Sequence, residues 1–362
     1  MPTVDQLLDL APGIGQRQAT FRFALVDAAS GRALGDIQPV RTPPSRTHDT
    51  SRKTCRSMAG LVLDRADTAA VNAVTDRVQV FMVIGGAEKE LGTYVFTDTH
   101  RTRTTHGRRG EYGLADLGFV VAQPTESTVG FGAGTNVGTA IATILAAVPS
   151  LAGYEVEPGA AVTGAPIAWP AGTDRGRILE DLATLGAYLS PYMGNDSVIR
   201  VRRSFDPAEA APSFTFESGG RVRSESISES DDLLEAPNLF VVVDNSNTAA
   251  PVVGRYEVPV SAPHSYANRG FWVPQVTDMQ GVGTSASADV AARALGLAHT
   301  VYQQVTLATP PDPRHDAYDV VAYDGVNWLE TAWSLPLIEG GEMTHTLRRA
   351  YNLFAGESVS DE

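Results

Sequence analysis

Residues 287–305 read SADVAARALGLAHTVYQQV, a run in which small and apolar side chains recur at helical spacing. The pattern predicts that the whole run is one long helix. The proline-rich segment PPDP, from Pro310, then breaks the chain, because proline cannot continue a helix. Strand-like segments follow, YDVVAY from Tyr318, WLETAWSLPL from Trp328 and MTHTLRRA from Met343. None of them has the spacing of a catalytic motif, so this region predicts an architectural module.

Outward from this region, the chain divides into blocks of different pattern. Short alternating segments separated by glycine- or aspartate-containing turns predict an antiparallel barrel or sandwich in the first third. Helical and strand-like segments mix in the middle, and strands dominate again afterwards. The predicted fold class is therefore mainly β with an α+β insertion. The predicted units are a β block over 1–123, an α+β middle block over 124–205, a second β block with one long helix over 206–350, and a C-terminal tail over 351–362.

The middle block contains two predicted helices. The apolar segment 137–148 is too short to span a membrane, so we expect a buried helix capped by Thr135 or Asn136 and no membrane contact. The second helix carries apolar side chains at i, i+1, i+4 and i+7 from Ile178, a stripe that must face a core. Thr173 is its predicted N-cap.

Composition narrows the class of protein. A formal net charge of −14 argues against a protein whose main task is to hold nucleic acid. A single cysteine, Cys55, excludes an internal disulfide framework and any cysteine-built metal site, and we predict that it is a small buried side chain in a strand. The first residues lack a basic region followed by an apolar core, which predicts synthesis and folding in a cytoplasm.

Several constellations were candidates for chemistry. The glycines of 130–138 match neither a dinucleotide fingerprint nor a phosphate loop. The seven histidines never occur at a metal-ligand spacing such as HExxH. Asp312, His315, Asp316 and Asp319 lie close together, but the glycine and terminal glutamate of a calcium loop are missing, which favours a polar turn. We therefore expect no catalytic residue, no metal, no cofactor and no enzymatic activity.

One basic patch stands out, HRTRTTHGRR at 100–109. Without interleaved aromatic residues it does not favour single-stranded nucleic acid. Two interpretations remain open, an interface with an acidic neighbouring subunit and a simple exposed hairpin. In the first, the acidic run Glu225–Asp232 of another subunit is a candidate partner, although it also fits a solvated loop. The candidate interface residues are Arg101, Arg103, Arg108 and Arg109.

Several passages together resemble the tail-hub proteins of tailed bacteriophages, known as minor tail proteins in siphophages that infect actinobacteria. One is a helix followed by a strand in the middle block, and a second leads into the later β block. The run from the long helix to PPDP and the closing strands are also similar. The passages are GTDRGRILEDLATLG from Gly172, GNDSVIRVR from Gly194, APNLFVVV from Ala236, LPLIEGGEMTHTLR from Leu335, DTSRKTCR from Asp49 and LGTYVF from Leu91.

The resemblance implies a fold, a location and partners. It implies that the blocks 1–123 and 206–350 are tail-tube-like antiparallel β-barrel domains. Three copies would form a homotrimer whose barrels continue the tail tube in the virion, after assembly in the host cytoplasm. The implied partners are the distal tail protein, the tape measure protein and central fibre or receptor-binding proteins, with transient passage of viral DNA but no specific nucleic-acid binding. No enzymatic extension is expected.

Two other functions compete with this interpretation. A receptor- or carbohydrate-binding β-protein of the tail tip would expose aromatic side chains in a groove, and Trp272, Trp328 and Trp333 are the candidates. Their strand context favours the core or an interface. A peptidoglycan hydrolase would need catalytic residues at a suitable spacing, which the sequence lacks.

Overall fold

The computed structural model describes most of the chain. Cys55 and the predicted tail 351–362 lie outside the described residues, so the predictions for them stay predictions. The described residues are 3–10, 19–40, 43–50, 57–104, 107–148, 151–207, 209–217, 222, 224–229, 235–245, 251–260, 262, 264–299 and 302–350.

The described residues form seven helices. These are α1 (Val4–Leu10), α2 (Arg65–Ala70), α3 (Gly118–Val121), α4 (Val137–Ala146), α5 (Arg175–Leu185), α6 (Tyr266–Arg269) and α7 (Ser285–His299). The side chain of Asn136 accepts a hydrogen bond from the Thr139 amide at 3.0 Å, which confirms one of the two predicted caps of α4. The predicted cap of α5 is wrong. Its N-cap is Asp174, because the Thr173 hydroxyl donates to the Pro170 carbonyl oxygen at 2.8 Å instead.

Strands are the main element of the fold, which confirms the mainly β prediction. The first seven are β1 (Thr20–Asp27), β2 (Ala33–Ile37), β3 (Ser45–Asp49), β4 (Ser57–Leu63), β5 (Asp76–Ile84), β6 (Ala87–Thr104) and β7 (Gly107–Asp116). The next seven are β8 (Val129–Phe131), β9 (Gly153–Val156), β10 (Ile167–Trp169), β11 (Tyr192–Met193), β12 (Val198–Val201), β13 (Phe214–Phe216) and β14 (Ser224–Glu229). The last are β15 (Leu239–Asp244), β16 (Val252–Glu257), β17 (Pro274–Asp278), β18 (Tyr302–Thr309), β19 (Val320–Tyr323), β20 (Val326–Pro336) and β21 (Met343–Ala350).

One large sheet combines strands from the first and the last predicted β blocks. Its order is β14-β18-β21-β20-β3-β4-β7-β6-β5-β1-β2, and β13 and β19 extend it beside β20. The long strand β20 is the link. Its first part pairs with β19, and its later part, Ala332–Pro336, pairs antiparallel with β3. The two predicted barrel segments therefore share backbone hydrogen bonds across this seam.

The predicted helix 287–305 is too long at its C-terminal end. The helix ends at His299, and Tyr302 begins β18. Strand β18 lies between β14 and β21, so both of its edges are hydrogen-bonded. Its side chains Val305 and Leu307 alternate into a buried face. A strand with two partners satisfies the backbone and the apolar side chains together, and this outweighs the helical propensity of the segment.

Helix α7 packs closely on the sheet β16-β15-β17, in which β15 is central. A Cβ atom on Gly254 of β16 would lie 2.1 Å from the carbonyl carbon of Ala288, so only glycine fits there. Ala288, Ala291 and Ala292 face this contact and are fully buried. The small side chains of the alanine-rich run therefore serve close helix–sheet packing.

Two large hydrophobic cores and three smaller hydrophobic clusters stabilise the described part of the chain. The first joins α4, α5 and α7, with Ile141, Leu182 and Ala292 among its buried members. The second lies on the large sheet and includes Leu61 and Trp333, from the first and last blocks. Smaller sheets, β10-β8 and β11-β12-β9, cover the middle block. In the described part of the chain, no helix is both long and apolar enough to cross a membrane.

Candidate functional site

The predicted basic patch forms the far end of the β6–β7 hairpin. Arg103 lies opposite Arg108 in the antiparallel register, and Thr102 lies opposite Arg109. Arg101 and Arg103 are exposed to solvent. The structure thus brings the four predicted arginines together at one place, which we call the basic hairpin end.

Of the arginines at the basic hairpin end, Arg101, Arg103 and Arg109 have described side chains, and none of these three forms an ion pair with another described residue. Arg101 donates from Nη2 to the Val71 carbonyl oxygen at 3.0 Å. Among the described residues, neither Arg103 nor Arg109 has an acidic partner within ion-pair distance. Guanidinium groups suit bidentate pairing with carboxylates, so these side chains can accept an external acidic partner.

The predicted acidic run begins in strand β14. Glu225 and Glu229 lie in this strand, which is one end of the large sheet, whereas 230–234 lie outside the described residues. An end strand has one row of unpaired backbone groups that another chain can pair with. The acidic run is therefore at a position where a neighbouring copy could reach it.

The three candidate tryptophans do not share a groove. Trp328 and Trp333 are only 5% and 3% exposed, as their strand context predicts. Trp272 is 38% exposed, and its ring stacks on that of Tyr266 at a centroid distance of 4.3 Å. One stacked pair of exposed rings remains, not an aromatic-lined groove.

A buried polar junction ties three blocks of the chain together. We define it as Arg46, Tyr94, Asn195 and Trp333. The guanidinium of Arg46, which is 1% exposed, donates from Nε to the Tyr94 hydroxyl and from Nη2 to Asn195 Oδ1, both at 2.5 Å. Its Cζ atom lies 4.7 Å from the centre of the Trp333 ring. These hydrogen bonds offset part of the free-energy cost of burying the guanidinium.

Asn195 extends the junction to the loop between β18 and β19. Its amide nitrogen donates to the carbonyl oxygens of Pro313 and His315, at 2.7 and 3.1 Å. The side chain therefore accepts from the first block and donates to the last block. Nearby, the Thr93 amide donates to the Ser197 hydroxyl at 2.9 Å, which adds a second link to the middle block.

The same loop contributes to a buried cluster that we call the His–Glu–His cluster, made of His315, Glu330 and His345. Oε2 of Glu330 lies 2.7 Å from Nδ1 of His315, and Oε1 lies 2.5 Å from Nδ1 of His345. Nε2 of His345 lies 2.7 Å from the Thr309 hydroxyl, which donates to the Pro310 carbonyl oxygen at 3.1 Å. All three members are at most 1% exposed.

Burial and the neighbouring charges shift the pKa values of all three members of the cluster. Burial alone would raise the pKa of Glu330, but the two imidazoles outweigh it and hold that pKa at about 2. Burial opposes a charge on His315, yet Glu330 raises its pKa, whereas burial lowers the pKa of His345. The carboxylate of Glu330 is therefore stabilised in its ionised form by the two imidazoles.

Burial limits what the cluster can do chemically. Imidazole and carboxylate groups can serve as acid and base, but a substrate must reach them. A cavity of 460 Å³ lies beside the same loop and is lined by Asp316, Asp319, Tyr192 and Arg200 among others, not by the three cluster members. Burial first, then nearby carboxylates, raises the pKa of Asp319 to about 7. The cluster is an internal site rather than an open catalytic one.

Sequence reasoning placed His315 in a polar turn and missed the cluster. A signal was present in the strands. Met343, His345 and Leu347 alternate on the buried face of β21, and Glu330 takes a buried position in β20. A histidine or glutamate at an apolar position of a strand must find a buried partner. The pattern shows that these polar side chains need buried partners, but it does not show which strands lie side by side.

The fold is similar to that of solved tail proteins. The tail protein from Neisseria meningitidis MC58 matches 93% of this chain with 99% of its own, at a TM-score of 0.63 and 13% identity. The 43 kDa tail protein of prophage MuSo2 from Shewanella oneidensis covers 92% of this chain with 99% of its own length, at a TM-score of 0.59 and 12% sequence identity. The prophage tail protein gp18 from Listeria monocytogenes EGD-e covers 91% of this chain with 95% of its own length, at a TM-score of 0.54 and 9% sequence identity.

At these identities, the shared property is the fold. No protein-family model matches the chain, and no curated protein sequence does either. The similarity extends over more than nine-tenths of this chain and of each of the three tail proteins.

Proposed function

We propose that this chain is a structural protein of a phage tail tip, the hub that closes the tail tube in the virion. One observation carries the proposal, the full-length fold similarity to three tail proteins. An unrelated protein with one shared barrel would match over part of its length. We further propose that the chain has no enzymatic activity; in support, the His–Glu–His cluster of the described residues is buried.

The hub forms by association of three copies into a ring. Two features support this step, the basic hairpin end and the acidic end strand β14. The basic sequence of the hairpin end and the acidic sequence that starts in β14 favour a head-to-tail contact between copies, and a contact whose rotation closes gives a ring. Pairing also covers an end of the large sheet that would otherwise offer unpaired backbone groups.

The ring connects the other tail proteins. On this proposal the distal tail protein binds above it, the tape measure protein ends within it, and central fibre or receptor-binding proteins bind below. The net charge of −14 fits transient DNA passage, because like charges prevent the phosphate backbone from being retained. Siphophages of actinobacteria are the phages whose hubs the sequence resembles.

Mass photometry of the purified chain tests the assembly step. We expect trimers in the wild type and mostly monomers in the double charge reversal Arg101→Glu/Arg103→Glu. The control is Arg177→Glu, since Arg177 is 75% exposed and lies on α5, outside the basic hairpin end. Trimers that persist in the double variant at low and high salt would exclude the basic hairpin end as the interface. A wild type that stays monomeric at all concentrations would contradict the ring itself.

A further inference from the structure

We propose that His315, Glu330 and His345 bind a divalent transition metal ion of the zinc class inside the fold. The inference is independent of the proposed tail function. Each residue offers one ligand atom, and these atoms lie within 4.8 Å of one another. Two imidazoles and one carboxylate are a common zinc donor set. Magnesium and calcium prefer oxygen ligands, so the two nitrogen donors favour zinc over them.

The distances between the Glu330 oxygens and the two imidazoles show how far the ligand atoms must move when a metal ion binds. In the structure, the oxygens of Glu330 lie 2.5 and 2.7 Å from the two Nδ1 atoms, which are hydrogen-bond distances held by protons. A tetrahedral ion with bonds of about 2.0–2.1 Å holds its ligand atoms roughly 3.3 Å apart. The ion therefore replaces the Nδ1 protons, and modest rotations of side chains bring the ligand atoms to its coordination sphere.

The surroundings of His345 fit a metal ligand. With Nδ1 on the metal, the imidazole keeps its proton on Nε2, 2.7 Å from the Thr309 hydroxyl. That hydroxyl can accept this proton's hydrogen bond because it donates onward to the Pro310 carbonyl oxygen at 3.1 Å. Such outer partners fix the tautomer and orientation of metal-binding histidines.

The His315 ring is held in place by packing. It stacks on Phe214 at a centroid distance of 3.7 Å and an interplanar angle of 15°. Its Nε2 atom is buried and has no hydrogen-bond partner among the described residues. The neighbouring ring of His345 lies 4.6 Å away, centre to centre. The two imidazoles are thus already gathered on either side of the Glu330 carboxylate.

The ion would join three separate parts of the chain, because its ligands come from β20, β21 and the loop 310–319. That loop also receives the hydrogen bonds of Asn195. Binding to the folded chain alone raises its stability by mass action. The expected role is therefore structural, a link between the last block and the polar junction.

Calorimetric titration of the chelator-treated, full-length chain with zinc chloride tests the proposal. We expect one zinc per chain, a heat that changes with buffer because protons are released, and no binding of magnesium chloride. Glu330→Gln and His345→Gln should bind at least about 100-fold more weakly, since loss of an outer partner alone costs roughly 10- to 100-fold. His264→Gln, a buried histidine elsewhere, and Cys55→Ser should bind like the wild type.

Cobalt chloride gives a readout that needs no variant. Bound cobalt should show the visible absorption of a tetrahedral nitrogen and oxygen site, without the near-ultraviolet band of a thiolate ligand. Failure of the wild type to bind zinc or cobalt stoichiometrically would overturn the proposal and leave a cluster held by protons. Equal zinc affinity in the wild type, Glu330→Gln and His345→Gln would overturn it as well.

Discussion

The polar junction and the basic hairpin end use the same side chain in opposite ways. Arg46 is 1% exposed and bonded to groups from two other strands and loops. Arg103 is exposed and has no acidic partner in the described chain. The guanidinium of Arg46 forms hydrogen bonds within the fold, whereas the guanidinium of Arg103 faces solvent.

The difference shows how burial decides the role of a charge. A desolvated guanidinium must satisfy its donors locally, so its position fixes the packing of its neighbours. A hydrated guanidinium has little effect on the stability of the monomer, and it can stabilise a complex by pairing with a carboxylate of a partner. The proposed function therefore expects the polar junction to act on the stability of the fold and the basic hairpin end to act on association between copies.

The largest expected effect is at the junction. Arg46→Ala removes the hydrogen bonds from the guanidinium to Tyr94 and Asn195, and it opens a space beside Trp333. We expect the free energy of unfolding to fall by about 3 kcal/mol. Denaturant unfolding followed by circular dichroism measures this. A loss below about 1 kcal/mol would show that the junction is not a main support of the fold.

Asn195→Ala should have the second largest effect. The substitution removes one acceptor for Arg46 and two donors to the loop 310–319, so we expect a loss of about 2 kcal/mol. Hydrogen exchange offers a more local measurement, with faster exchange in that loop. Exchange that speeds up only around Tyr192 and Met193 would contradict the link to the last block.

A double-mutant cycle of Arg46→Ala and Asn195→Ala sharpens the comparison further. Residues in contact show interaction free energies of about 0.5–3 kcal/mol, and we expect about 1 kcal/mol here. The same unfolding measurement on the single and double variants gives the value. Additive losses would mean that the two residues act independently.

The smallest expected effect on stability is at the hairpin end. Arg103→Ala should change the free energy of unfolding by no more than about 0.5 kcal/mol, because the side chain is exposed. Its effect should appear in the trimer fraction instead, measured by mass photometry. If Arg103→Ala lowered the free energy of unfolding of the monomer as much as Arg46→Ala, the two arginines would not differ in their roles.

The sequence predicted the elements whose signal is local. Strand β20 and the hairpin arginines follow from alternation and from a short basic run. The junction gives no such signal, since Arg46 and Asn195 are separated by 149 positions and meet only when the sheet closes over the middle block. The same reason hid the His–Glu–His cluster, whose ligands come from separate strands and a loop.

The predicted end of helix α7 is wrong for a different physical reason. The residues from Tyr302 to Val305 follow the alanine-rich run without glycine or proline, so no local breaker marks the boundary. The switch to strand comes from pairing with β14 and β21, which lie far away in sequence. Tertiary pairing overrides local propensity there.

Negative-stain electron microscopy of the purified chain tests the central claim most directly. If the chain is the hub of a tail tip, class averages should show a closed ring of three copies, and Arg101→Glu/Arg103→Glu should lose it. A wild type that stays a single compact particle at every concentration examined, with no ring, would contradict the account.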